Sequence, residues 1–292
     1  MRALRRFFSR LISWATAARD EKRLSLRGAS RVTAGAGSLP RRVLVVLQIA
    51  LSLALLSVPG LLTSALHALE TQDFGFKQDR RVVARINPKL AGYQPSQLSQ
   101  LYRRIHDAIA NTPGVSSVAL CLYSPPGGGW GSSVWVDGRP APGLRDDNSS
   151  QWDRVTPGYF EVIGTPIVEG RGISEEDTAA SRRVAVVNEA FARKFFGNEN
   201  PIGRHFGRNP ETSREFEVVG LAKDARYLAN QIDRPVGPLF FCQRRRPIYT
   251  KSAGSLFLHD IVISAKPGVN LSAPEARHAM ASVDPGMPII AI

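Results

Sequence analysis

Residues 43–66 read VLVVLQIALSLALLSVPGLLTSAL, an apolar run without a single ionisable side chain. At about 1.5 Å of rise per residue, roughly 24 helical residues span about 36 Å, enough to cross a hydrocarbon core of about 30 Å with some tilt. The stretch reads as a membrane-spanning helix. It divides the 292-residue chain into a basic arm, 1–42, and a long mixed domain. Pro59 and Gly60 would weaken a soluble helix, whereas a membrane helix tolerates such a break where neighbours satisfy the freed carbonyl. Ser52, Ser57, Thr63 and Ser64 either face other helices of a bundle or bond back to their own preceding turn.

Outward from the span, charge is unevenly spread. The arm holds 11 of the Lys/Arg against Asp20 and Glu21, a net +9 of the chain's +13, which leaves +4 for the remaining 250 residues. Lys and Arg concentrated on one flank of an apolar helix stay cytoplasmic, so the N-terminus is expected inside and everything beyond Leu66 outside. A basic arm also suits nucleic acid. A span directly behind it points instead to a lipid bilayer, and no nucleic-acid partner is expected. A cleaved signal has a short basic region and an apolar core of about 7–15 residues. Both are exceeded here, and SALHALETQ offers no clean small-x-small cleavage site, so the helix reads as an uncleaved anchor. The first 19 residues, MRALRRFFSRLISWATAAR, alternate apolar and Arg side chains at near-helical spacing. They suit a helix lying on the anionic inner leaflet or one packed on another subunit. Residues 20–40 have the composition of a flexible linker.

Past the span, alternating patterns predict a mixed α/β (α+β) fold. Arg81 to Ile86 reads as a strand. Pro95 opens a helix whose Leu98, Leu101, Ile105 and Ile109 recur at helical spacing, with Asn111 to Gly114 as its stop. Val115 to Leu122 is a further strand, making an α/β unit. SPPGGGWG at 124–131 is a loop, with Trp130 expected to tuck beneath it. Strands are predicted at 133–137, 152–155, 166–169, 183–187, 216–221, 236–242 and 255–264. Thr156 is expected to cap a short helix ending at Ile163, Asn188 to cap Glu189 to Phe196 with Gly197 as stop, and Ala273 to Val283 to be helical.

The chemistry-bearing residues do not form a recognisable site. His67, His106, His205, His259 and His278 are scattered, without an HExxH pair. Neither a GxSxG elbow nor a GxxxxGK[ST] loop occurs, and Gly35 to Ser38 lacks both a preceding strand and the last glycine of a dinucleotide fingerprint. Glu175, Glu176 and Asp177 read as a solvated acidic loop rather than a cation site, and Arg244, Arg245 and Arg246 as a solvated turn. Cys121 and Cys242 make no metal motif, and their pairing stays open. No enzyme activity, catalytic residue, cofactor-binding residue or metal ligand is expected.

The runs VTPGYFEVIGTPIVEGRGISEEDT, VAVVNEAFARKFFGNENPIGRHF and FEVVGLAKDARY, in that order behind the span, closely resemble the extracytoplasmic domain of MacB/FtsX-like ABC-transporter permeases. The resemblance covers roughly Leu39 to Ile292. It implies a porter-like α/β subdomain, 67–123 and 231–292, with a smaller β-rich subdomain inserted at 124–230. It also implies a single-pass protein of the bacterial inner membrane, a cytoplasmic ABC ATPase, a companion permease and a periplasmic adaptor as partners, and export by mechanotransmission. MRALRRFFSRLI looks like the start of an acidobacterial-type tandem permease, while the span resembles the first helix of a permease unit. No second charge-free run of about 18 apolar residues occurs, so a membrane-anchored permease component, or a shortened permease, is expected. The alternative is a membrane-tethered binding or scaffold domain without transport activity.

Overall fold

The computed structural model describes residues 38–70, 73–77, 79–143, 145–177, 181–227, 234–243, 256–269, 271 and 273–291. The basic arm up to residue 37 and Arg244 to Arg246 lie outside the described residues. The chain forms two compact units, Met1–Gln72 and Asp73–Ile292.

In the first unit, helix α1 (Ser38–Glu70) runs unbroken through Pro59. Its segment Val43–Ser64 has a mean hydropathy of 2.3 and none of it is buried inside the molecule. The Ser57, Thr63 and Ser64 hydroxyls donate to the carbonyls of Leu53, Pro59 and Leu61 at 2.8, 2.8 and 2.9 Å. For these three, back-bonding within the helix is what the structure shows, which lets a hydroxyl sit in an apolar run without exposing an unmet donor.

The second unit is built on one sheet. Its strands are β1 (Arg81–Ile86), β2 (Val115–Cys121), β3 (Trp130–Ser133), β4 (Trp135–Val136), β5 (Ser149–Val155), β6 (Ile167–Gly170), β7 (Val184–Asn188), β8 (His205–Gly207), β9 (Phe216–Ala222), β10 (Leu239–Gln243), β11 (Asp260–Ala265) and β12 (Ile289–Ala291). They are ordered β12-β1-β11-β2-β5-β10-β7-β9-β8-β4, with β3 on β5 and β6 on β9. Pairings β10–β5 and β7–β9 are parallel and the others antiparallel. Helices α2 (Leu98–Ala110) and α5 (Ala273–Val283) put Leu101, Ile105, Ala276 and Met280 into one core with Ile86, Leu120 and Ile263. The opposite face packs α3 (Tyr159–Ile163) against Ala119, Phe241 and Val262. Neighbouring strand positions serve opposite cores, as the two-residue period of a strand dictates.

Local chemistry fixes several ends. Pro95 starts a 3-10 turn ahead of α2, where Gln97 Oε1 accepts from Gln94 N at 2.8 Å. Asn188 caps α4 (Glu189–Phe195) as the sequence predicts: its Oδ1 accepts from Phe191 N at 2.9 Å. The same oxygen accepts from Leu239 N at 2.9 Å, and Nδ2 donates to Gly237 O at 3.0 Å, so one side chain ties α4 to β10. Asn188→Ala is expected to cost about 2 kcal/mol, from a lost cap and a stranded buried N–H. A urea midpoint unchanged from wild type would refute that role.

Four sequence expectations change. Thr156 does not cap α3, whose N-cap is Gly158; its hydroxyl instead accepts from Leu120 N at 2.9 Å. The strand expected at 133–137 is broken at Val134, because Trp130 to Ser133 pair with β5 whereas Trp135 and Val136 pair with β8. Strand β10 begins only at Leu239: Pro238 has no N–H to give to a ladder, and Gly237 gives its carbonyl to the Asn188 side chain. The strand expected from 255 begins, within the described residues, at Asp260.

Candidate functional site

Strands β2 and β5 meet through one register pair, Cys121 opposite Val155. This seam joins strands from the two ends of the second unit, β1, β2, β11 and β12, to those from its middle. Beyond Cys121 the chain leaves the sheet, and its next three N–H groups need acceptors. Leu122 N donates to Arg154 O at 2.9 Å, Tyr123 N to Asp153 Oδ1 at 3.2 Å, and Ser124 N to Asp260 Oδ2 at 2.7 Å. Two buried carboxylates thus continue a ladder that the backbone has abandoned.

Each carboxylate is held differently. Asp260, fully buried, opens β11 opposite Arg85 of β1 and accepts from Arg85 Nε at 2.6 Å and Nη2 at 2.9 Å. Ser124 Oγ adds a bond of 2.7 Å to the same Oδ2. Such a two-pronged, charge-assisted pair fixes orientation as well as charge. The Arg85 guanidinium is accordingly raised above its ordinary pKa, first by its bonds to Asp260. Asp153 is buried with no facing guanidinium bond: Oδ1 also accepts from Arg154 N at 2.7 Å, and Oδ2 has no hydrogen-bond partner among the described residues. Burial pushes its carboxyl well above the usual range, against the pull of the Arg154 and Tyr123 N–H groups.

Next to it, the Arg154 side chain is fully buried, its guanidinium 5.6 Å from the Trp152 ring, and burial lowers its pKa. Trp130, half-buried at the start of β3, packs edge-on against Trp152 at 5.6 Å, and its indole N–H donates to Tyr123 Oη. Both cysteines are buried and free, which closes the pairing question. Burial pushes the Cys242 thiol up to about 12, so it stays protonated at physiological pH.

A groove of about 540 Å³ lies over the seam, between Tyr102, Arg103, His106 and Asp107 of α2 and the stretch Val155 to Pro157. Its wall includes Glu175. The acidic trio does not converge. Glu175 and Glu176 are exposed, whereas Asp177 is buried and gripped by Arg171 at 2.7 and 2.8 Å, a correction to the solvated reading of that residue. Burial raises its carboxyl, but Arg171 and the Ser174 N–H bring it below the usual value. Among the described histidines, His106 faces the groove and the others stand elsewhere, His205 on β8 and His278 on α5. The buried ion pair was missed from sequence because its members lie 175 positions apart. The available signal was an Asp heading an apolar strand, DIVISA.

The arrangement sets two buried carboxylates at the exit of β2, with a groove across the seam. The family model of the MacB-like periplasmic core domain matches residues 43–279. A macrolide export ATP-binding/permease protein MacB of Aggregatibacter actinomycetemcomitans is 36% identical over 66 residues, covering 23% of this chain and 10% of that protein. Macrolide export ATP-binding/permease protein MacB 1/2 of Paracoccus denitrificans is 25% identical over 169 residues, covering 57% and 20%. The chain spans about a tenth to a fifth of the length of these curated relatives. Among solved structures, the periplasmic region of MacB from Actinobacillus actinomycetemcomitans matches with a TM-score of 0.47 and 17% identity, over 74% of this chain and 90% of that one. The extracellular domain of the noncanonic ABC-type transporter YknZ matches with 0.41 and 12%, over 72% and 100%.

Proposed function

The chain belongs to the MacB-like periplasmic core domain family, and on that premise we propose that it is a membrane-anchored permease component of a MacB/FtsX-like ABC transporter. The observation that carries the reading is the continuity of the family match, which starts at the first residue of the apolar span and reaches into α5. The family match thus takes in both the apolar span and the domain behind it. The net +9 arm sets the N-terminus in the cytoplasm and the second unit outside, with the inner membrane between.

In this reading a cytoplasmic ABC ATPase moves a bundle completed by a companion permease, and α1 passes the movement outward to the domain and a periplasmic adaptor. The seam suits mechanotransmission. Strands on its two sides are coupled through few backbone bonds, and Asp153 and Asp260 clamp the exit of β2, so displacement is passed on rather than absorbed by fraying. We read 67–123 and 231–292 as the porter-like subdomain and 124–230 as the inserted one.

The test is purification of the intact chain from its native membrane in mild detergent. Co-purification of an ABC ATPase is the expected result. If the chain resists alkaline extraction yet retains no ATPase, the transport reading fails. A tethered binding or scaffold domain would then stand, a reading favoured by the polar groove over the seam.

A further inference from the structure

A second cavity, of about 370 Å³, opens on the face of the sheet opposite α2. Its volume falls within the range of about 300–1,000 Å³ of small-molecule sites. Phe74, Phe76, Val83, Ile163 and Val262 give it an apolar wall. Three cations also line it, Lys77, Arg81 and Arg226, and no carboxylate does among the described lining residues. Asp79 lies 3.9 Å from Arg81 Nη1 and is itself largely exposed. Arg81 is fixed in place, with Nε donating to Val162 O at 2.6 Å. Arg226 is held through Nη1 to Arg234 O at 2.8 Å. Lys77 is exposed, and its backbone N–H is anchored to Ile163 O at 3.1 Å.

We propose that this pocket takes one acyl chain of an anionic glycerophospholipid, with its phosphate held by Lys77, Arg81 and Arg226. Hydrocarbon removed from water favours the apolar wall, and clustered Lys and Arg select an anionic head over a zwitterionic one. Neither feature alone names an occupant; together they require a ligand that is apolar at one end and anionic at the other. The bilayer is the source, because Phe74 follows Glu70, the last residue of the apolar helix, by only four positions. The inference rests on the membrane-anchored reading above.

The experiment uses the full chain, delipidated in detergent and titrated with phosphatidylglycerol or phosphatidylcholine, with bound lipid counted by native mass spectrometry. Wild type is expected to prefer phosphatidylglycerol. Lys77→Gln with Arg226→Gln should weaken that lipid about 30-fold, since each cation near an anionic head contributes about 1 kcal/mol. Val83→Trp, which fills the cavity and leaves the cations, should abolish binding while circular dichroism stays that of wild type. Equal affinity for the two lipids overturns the proposal, as does phosphatidylglycerol binding that survives both variants, which would belong to the basic arm. The two readings fail separately. A chain that holds its ATPase but shows no lipid preference loses only this pocket, and a chain extracted at alkaline pH loses the anchor.

Discussion

Replacing Arg85 by Met is expected to lower the unfolding free energy by about 3–4 kcal/mol, near the low end of what stranding one partner of a buried ion pair costs. Asp260 is fully buried and takes two of its four bonds from this guanidinium. Without it, Ser124 N and Oγ are left as the remaining donors to a carboxylate that water cannot reach. The low end applies because the Arg85 side chain is itself 42% exposed, so the pair is screened on one side. Asp260→Leu in the same background should recover part of the loss, since two apolar groups restore a neutral core. Recovery stays partial because Ser124 N then has no acceptor. Urea unfolding followed by tryptophan fluorescence measures the double variant and both single ones, Arg85→Met and Asp260→Leu. Strict additivity of the two substitutions would sink the idea that Arg85 and Asp260 act as one unit.

The sequence exposes the elements of this fold better than it exposes the joint between them. Helix α2 was legible because Leu98, Leu101, Ile105 and Ile109 repeat at helical spacing and all are buried. Asn188 was legible because a cap is local chemistry, decided within four residues. Strands β8 and β12 were missed, each three residues long and too short for an alternating pattern to register. Thr156 misled for an instructive reason. A Thr before Pro and an aromatic run satisfies the local rule for a cap, but Leu120 N, from a strand 36 positions away, competes for the same hydroxyl. The candidate site shares that difficulty throughout. Arg85, Ser124, Asp153 and Asp260 come from four separate segments, and none carries a motif; only the crossing of β2, β5 and β11 brings them together. A single sequence reports periodicity within a segment, whereas the seam is a property of pairing between segments.

The pH dependence of stability should carry the signature of Asp153. Burial holds its carboxyl well above the usual range in the folded chain, while in the unfolded chain it titrates near 3.9. Below that unfolded value both states are protonated and this residue's contribution is fully present. As pH rises from there toward the folded value, the unfolded state sheds its proton and the folded state does not, so stability falls by up to about 1.4 kcal/mol per pH unit. Asp177, whose carboxyl lies below its usual value, works the other way: its contribution is present at higher pH and is lost as pH falls through the folded value. The raw profile therefore mixes opposite slopes. Asp153→Asn separates them, because an amide keeps the oxygen that accepts from Tyr123 N and Arg154 N and never ionises. The stability of this variant relative to wild type is expected to grow with pH above about 4, read as the difference of urea midpoints at matched pH. Parallel profiles would mean that Asp153 ionises as readily in the folded chain as in the unfolded one.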